Sequence, residues 1–206
     1  MSLPDLLNNG PANAATTIAL AHGAGAPMDT PFMATFADGL AGRGFRVVRF
    51  EFPYMAERRR GGGRRPPNPA RVLFECWQAV IDRLGPENLI ISGKSMGGRY
   101  ASMIADQAKV RGVVCLGYPF HPPGKPEKLR VEHLQTMTTP TLILQGDRDS
   151  LGNREEVSGY DLSPAITVRW LEDGDHHLSP RRKSGRTEEL NWREAVDAFA
   201  EFAAGV

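Results

Sequence analysis

Cysteine is scarce in this chain of 206 residues: Cys76 falls in a helical pattern, Cys115 in an apolar strand-like run, and there are no others. That leaves no disulfide framework and predicts two buried free thiols in a reducing cytoplasm. Net charge is scarce too. Lys and Arg total 25 against 24 Asp and Glu, a formal +1, which gives no global electrostatic case for nucleic acid or an acidic membrane surface. No apolar run approaches the ~18 residues of a membrane helix. Met1-Ser2-Leu3-Pro4-Asp5 lacks a basic n-region and an apolar h-region, so no signal peptide is predicted. Internal repeats are also missing. What remains is ordinary globular composition, 41% hydrophobic and 24% charged, and a length that predicts one domain over residues 1–206.

Short apolar runs alternate with helical patterns. Thr17–Leu20, Phe45–Phe50, Asn88–Ser92, Gly112–Leu116, Thr141–Gln145 and Ala165–Trp170 read as six strands. The middle ones are continuously apolar, as parallel strands covered on both faces should be. Thr30-Pro31 offers a cap and a first helical residue ahead of Phe32, Met33, Phe36 and Leu40. The pairs Val72/Leu73, Cys76/Trp77 and Val80/Ile81 recur at helical period until Gly85-Pro86, and Trp192, Ala195, Val196, Phe199 and Phe202 mark a last amphipathic helix. This alternation predicts an α/β domain with a mostly parallel sheet, helices on both faces, and an active site beyond the carboxyl ends of the strands. Residues 53–69, rich in Pro, Gly and Arg, read as a loop. Residues 117–139 leave room for one short helix near Glu127–Leu134.

Gly93-Lys94-Ser95-Met96-Gly97 is a G-x-S-x-G between a strand and a helical run. Strand, sharp turn and helix are the context a nucleophile elbow requires, with glycines letting strand and helix approach. The helix start offers the Met96 N–H to a developing oxyanion. The rival, a phosphate-binding loop ending in Gly93-Lys94-Ser95, needs a glycine at position 88, where this chain has Asn at the opening of a strand.

Serine at its free pKa is a poor nucleophile and needs a base and a residue to orient that base. The order in such sheets is serine, acid, histidine, each after a later strand. Gly146-Asp147-Arg148-Asp149 follows the strand ending at Gln145, and Asp173-Gly174-Asp175-His176-His177 follows the strand ending at Trp170. A second oxyanion donor is expected from His22-Gly23-Ala24-Gly25, where Ala24 is the first choice and Gly23 the alternative. His22 reads as a buried turn histidine bonded to backbone rather than a base.

These residues resemble the α/β-hydrolase superfamily, in the branch near dienelactone hydrolases. They are most similar to small bacterial hydrolases related to the α/β-hydrolase domain of a nonspecific-lethal histone acetyltransferase complex subunit. The stretches that carry the resemblance span roughly residues 16–204: His22–Ala26, Phe52–Met55, Gly93–Arg99, Gly117–Pro122, Gly146–Asp149 and Gly174–His176. The resemblance implies Asp149 rather than Asp147 as the acid and His176 rather than His177 as the base, with His177 beside it. This chain departs from that pattern: its first strong strand begins by residue 17 and the region after Leu116 is short. A minimal fold is therefore expected, with the usual N-terminal antiparallel hairpin absent or minimal and no substantial cap.

The expected function is cleavage of an ester or thioester through a Ser95–His176–Asp149 triad and an acyl-enzyme, on a small-molecule substrate, without metal or organic cofactor. The alternative is a non-catalytic interaction module with a protein partner. Lys94, Arg99 and His177 are candidate residues at the substrate rim. Arg58, Arg59, Arg60, Arg64 and Arg65, with Lys125, Arg181, Arg182, Lys183 and Arg186, fall in loops on the same rim and raise the expectation of an anionic substrate.

Overall fold

A computed structural model describes residues 4–63 and 65–206. In chain order the elements are β1 (Leu6–Asn9), β2 (Thr17–Ala21), α1 (Pro31–Ala41), β3 (Arg46–Phe50), α2 (Pro53–Arg59), α3 (Ala70–Leu84), β4 (Leu89–Lys94) and α4 (Met96–Ala108). There follow β5 (Gly112–Leu116), β6 (Thr141–Gly146), α5 (Arg154–Val157), β7 (Ile166–Leu171) and α6 (Glu188–Gly205), with 3-10 turns at Glu132–Gln135 and Arg182–Ser184.

Among the described residues the sheet has seven strands in the order β1-β3-β2-β4-β5-β6-β7. All neighbours are parallel except β1, which pairs antiparallel with β3 at the edge. The six apolar runs correspond to β2–β7, and β1 is the addition. Its four residues, Leu6-Leu7-Asn8-Asn9, are half polar and too short for a period-2 pattern, so pairing with β3 defines the strand. One antiparallel strand therefore stands where the hairpin was expected to be absent or minimal.

Side chains of β2 and β4 alternate between two cores. Ala19, Ala21, Leu89 and Ile91 join Trp77, Leu73, Ala101 and Ile104 on the α3/α4 face. Ile18, Leu20 and Ile90 join Phe36, Leu40, Val196 and Phe199 on the α1/α6 face. Thr30 caps α1, its hydroxyl accepting from Met33 N at 3.4 Å, and Pro31 opens the helix.

Two segments differ from the sequence expectation. The first seven residues of the 53–69 loop form α2, opened by Pro53, whose fixed φ suits a first helical turn. Helix α5 rests on a reciprocal capping box between Asn153 and Glu156, an N-x-x-E signal that is visible in the sequence. Between β5 and β6 the regular structure is the single 3-10 turn at Glu132–Gln135, so no cap covers the carboxyl ends of the strands among the described residues.

Candidate active site

Strand β4 is buried along its whole length and turns into α4 through Ser95, whose φ of 50° and ψ of −112° lie outside the regions open to most side chains. Such a conformation costs of order 1–3 kcal/mol and persists only where the surroundings enforce it. Here they do. A Cβ on Gly93 would fall 2.4 Å from the carbonyl carbon of Gly97, and one on Gly97 would fall 2.6 Å from the His22 carbonyl oxygen. Ser95 N donates to Leu116 O at 3.0 Å, and Arg99 N donates to Ser95 O at 3.0 Å, which fixes the turn on both sides.

His176 Nε2 lies 2.9 Å from Ser95 Oγ, and His176 Nδ1 lies 2.7 Å from Asp149 Oδ2. A carboxylate against Nδ1 makes that nitrogen the N–H donor and leaves Nε2 as the acceptor facing the serine hydroxyl. Asp149 is completely buried, and its Oδ1 accepts from Leu151 N at 2.8 Å. Gln145, also completely buried, donates from Nε2 to Asp149 Oδ2 at 2.9 Å and accepts Tyr118 N on Oε1 at 2.7 Å. Sequence reading did not single out Gln145. Its signal was an amide closing the otherwise apolar run Leu142-Ile143-Leu144. Asp147, two residues earlier, stands outside this chain of bonds, and its Oδ1 is buried with no partner among the described residues.

The turn carrying His176 is shaped by its own acids. Asp175 Oδ1 accepts from His177 N at 2.7 Å and Ser179 N at 3.0 Å. Asp173, in left-handed backbone at φ 53°, is bound by the Arg181 guanidinium, with Arg148 beside it, and these hold its carboxyl well below the usual carboxylate range. His177 is exposed. Its ring meets Phe32 edge-on at 6.5 Å, and its carbonyl accepts from Trp192 Nε1 at 2.9 Å. Desolvation where the ring packs against the cavity wall, and then the Lys94 charge, lowers the His177 pKa.

His22 is completely buried. Its Nδ1 donates to Gly23 O at 2.6 Å while Nε2 accepts from Phe52 N at 3.1 Å, and burial lowers its pKa, so it stays neutral. Tyr54 Oη donates to Ala24 O at 2.9 Å. In a trans peptide the Ala24 N–H points opposite the Gly23 carbonyl, hence away from His22. A cavity of about 260 Å³ lies between Ser95, the Gly23–Pro27 loop, Phe32, Met33, Lys94 and the two histidines. A wider groove of about 1010 Å³ runs past Asp147, Arg154 and Arg181 and includes neither Ser95 nor His176.

Two of the three rim candidates line this cavity, Lys94 and His177. Lys94 is buried, its Nζ donating to His176 O and lying 5.5 Å from the Phe32 ring centre. Burial pulls its pKa down to about 8. Arg99 lies away from the cavity with its guanidinium over Tyr100 at 5.3 Å. Part of the basic rim is neutralised, while Arg60, Lys125, Arg182 and Lys183 have no carboxylate partner among the described residues. Arg59 pairs with Glu51 and Asp29, Arg65 with Glu57, Arg181 with Asp173, and Arg186 with Glu172 and Glu194. Arg58 reaches the Gly25 carbonyl at 3.4 Å, and Arg64 lies outside the described residues. Among the described residues no group of three or more His, Cys, Asp or Glu side chains is arranged to hold a metal, and no helix is long and apolar enough to cross a membrane.

ABHD14B of Rattus norvegicus, whose name describes a candidate protein-lysine deacylase, is 28% identical over 118 residues, 55% of this chain and 52% of that protein. The match thus spans about half the length of that relative. The solved structure of XC6422 from Xanthomonas campestris, an α/β serine hydrolase without a lid, aligns with a TM-score of 0.69 at 18% identity over 94% of this chain and 86% of that one. The monoacylglycerol lipase of Paleococcus ferrophilus aligns with a TM-score of 0.74 at 15% identity over 98% of this chain and 100% of that one. At these identities the structures share the fold. Residues 14–204 match the family described as alpha/beta hydrolase domain, and this chain belongs to that family.

Proposed function

We propose that this protein is a serine hydrolase that cleaves an ester or thioester of a small acyl group. The observation that carries the reading is the hydrogen-bonded series Asp149–His176–Ser95, at 2.7 and 2.9 Å, ending on a serine in strained backbone. Ser95 Oγ attacks the acyl carbonyl as its proton passes to His176 Nε2, and Asp149 orients the ring and stabilises the imidazolium. The oxyanion is met by the N–H groups of Met96 and Ala24. His176 then delivers its proton to the leaving oxygen or sulfur. Water, deprotonated by the same imidazole, releases the acid from Ser95. The cavity of about 260 Å³ between Phe32, Met33 and the Gly23–Pro27 loop suits a short acyl group. For an anionic substrate, Arg59, Arg65, Arg181 and Arg186 already have carboxylate partners, which leaves Lys94 as the cation lining the cavity.

Labelling by a fluorophosphonate probe, with Ser95→Ala as control, tests the nucleophile, and turnover of short p-nitrophenyl esters tests the reaction. The expected result is wild-type labelling and turnover, with Ser95→Ala unlabelled and slower by about 10³-fold or more. A folded Ser95→Ala variant with equal turnover overturns the assignment. Removal of acyl groups from lysine side chains is a second reading, drawn from the partial similarity to ABHD14B. An acetyl-lysine peptide in the same assay separates the two.

A further inference from the structure

Lys94 is a buried cation that the acyl-transfer steps leave without a role. Its Nζ donates to the carbonyl of His176 itself. It makes no ion pair with a carboxylate among the described residues, although an ammonium is costly to bury and an apolar side chain would fill the same space. The charged and titratable groups facing it are Asp149 from the turn after β6, and Asp175, His176 and His177 from the turn after β7. From α1 it meets the Phe32 ring. From the end of β5 it meets Gly117, at φ 66°, where an added Cβ would fall 2.8 Å from Nζ and 2.7 Å from the His176 carbonyl oxygen.

Resting on the hydrolase reading above, we propose that Lys94 is a positioning residue: its ammonium grips the His176 peptide and holds the imidazole on Ser95. The rest of this turn has other anchors. Arg148 and Arg181 hold Asp173, Trp192 holds the His177 carbonyl, and Asn191 donates to the Leu178 carbonyl at 2.9 Å. Lys94 acts on the peptide that carries the base, at its carbonyl, while Asp175 Oδ1 accepts from the N–H of the same peptide at 2.7 Å. A charge-assisted bond is stronger than one from a neutral amine, so the grip weakens as Lys94 loses its proton.

The test is kcat and KM on a neutral p-nitrophenyl ester, from about pH 6 to about pH 10, for the wild type, Lys94→Met and Lys94→Arg. In Lys94→Met near pH 7, kcat should fall about 10–100-fold with KM changed less than about threefold, since displacing the base affects chemistry more than binding. Wild-type kcat should decline as pH passes the Lys94 value of about 8. Lys94→Met should lack that decline, and Lys94→Arg should move it to higher pH. If Lys94→Met does not fold, the wild-type and Lys94→Arg profiles decide the matter. Ser95-dependent turnover with the same profile in the wild type and the folded variants overturns the role of Lys94 alone. Absence of Ser95-dependent turnover in the wild type overturns the hydrolase reading and this role with it.

Discussion

Gln145 donates to Asp149 Oδ2 at 2.9 Å, the same oxygen that His176 Nδ1 meets at 2.7 Å. One carboxylate oxygen thus takes two donors while the other takes Leu151 N, and Gln145 itself is fixed by Tyr118 N on Oε1. The carboxylate has little freedom to turn away from the imidazole.

Replacing Gln145 by Leu should therefore affect stability and rate together. The variant leaves the Tyr118 N–H buried without its acceptor and should lose about 1–3 kcal/mol of stability. With one restraint on Asp149 gone, kcat should also fall, by about tenfold. Urea unfolding and ester turnover on the same preparation measure both. An unchanged unfolding midpoint would mean that water replaces the amide at no cost.

The acid and the base can each be separated from a neighbour. Asp149→Asn and His176→Ala should each lower kcat by about 10³-fold or more, while Asp147→Asn and His177→Ala should stay within about tenfold of the wild type. Finding the reverse order within either pair would move that role to the neighbouring residue.

The paired rim arginines should lend little salt-dependent preference for a charged substrate. With Arg59, Arg65, Arg181 and Arg186 in ion pairs, the ratio of kcat/KM for a carboxylated ester to that for its neutral isostere should change by less than about threefold with salt. A strong preference for the carboxylated ester that fades as salt rises would restore the anionic-substrate expectation.

Acid stability should carry the mark of His133, which bonds Ser102 Oγ at 2.9 Å. Burial first, and then the charge of Arg99, lower its pKa from 6.5 to about 4. The unfolded chain therefore binds a proton at pH values where the folded protein does not. Its contribution is complete above about 6.5 and is lost as pH falls toward about 4, its size reduced by the solvent that reaches the half-buried ring. Denaturant unfolding at several pH values should show this decline in the wild type and a shallower one in His133→Gln. Equal slopes would show that His133 is solvated in both states.

The sequence by itself determined the alternation of strand and helix, the elbow at Ser95, and the serine–acid–histidine order along the chain. These depend on neighbours within a few residues: apolar runs set the strands, Thr30-Pro31 and Gly85 punctuate helices, and Gly93 and Gly97 permit a backbone that Ser95 alone would resist. The resemblance pointed to Asp149 and His176, and the tertiary structure brings those two side chains together. Asp147 and Asp149 share one turn, as His176 and His177 share another, and the side chains that meet depend on how the ends of β4, β6 and β7 are set side by side. The same holds for β1, which is a strand through β3; for Gln145, whose amide links Tyr118, Asp149 and Gly152; and for the rim arginines, whose partners Glu51, Glu57, Asp173 and Glu194 lie 8 residues away along the chain. Local pattern fixes backbone conformation, whereas hydrogen bonds and ion pairs form wherever folding brings donor and acceptor within about 3 Å.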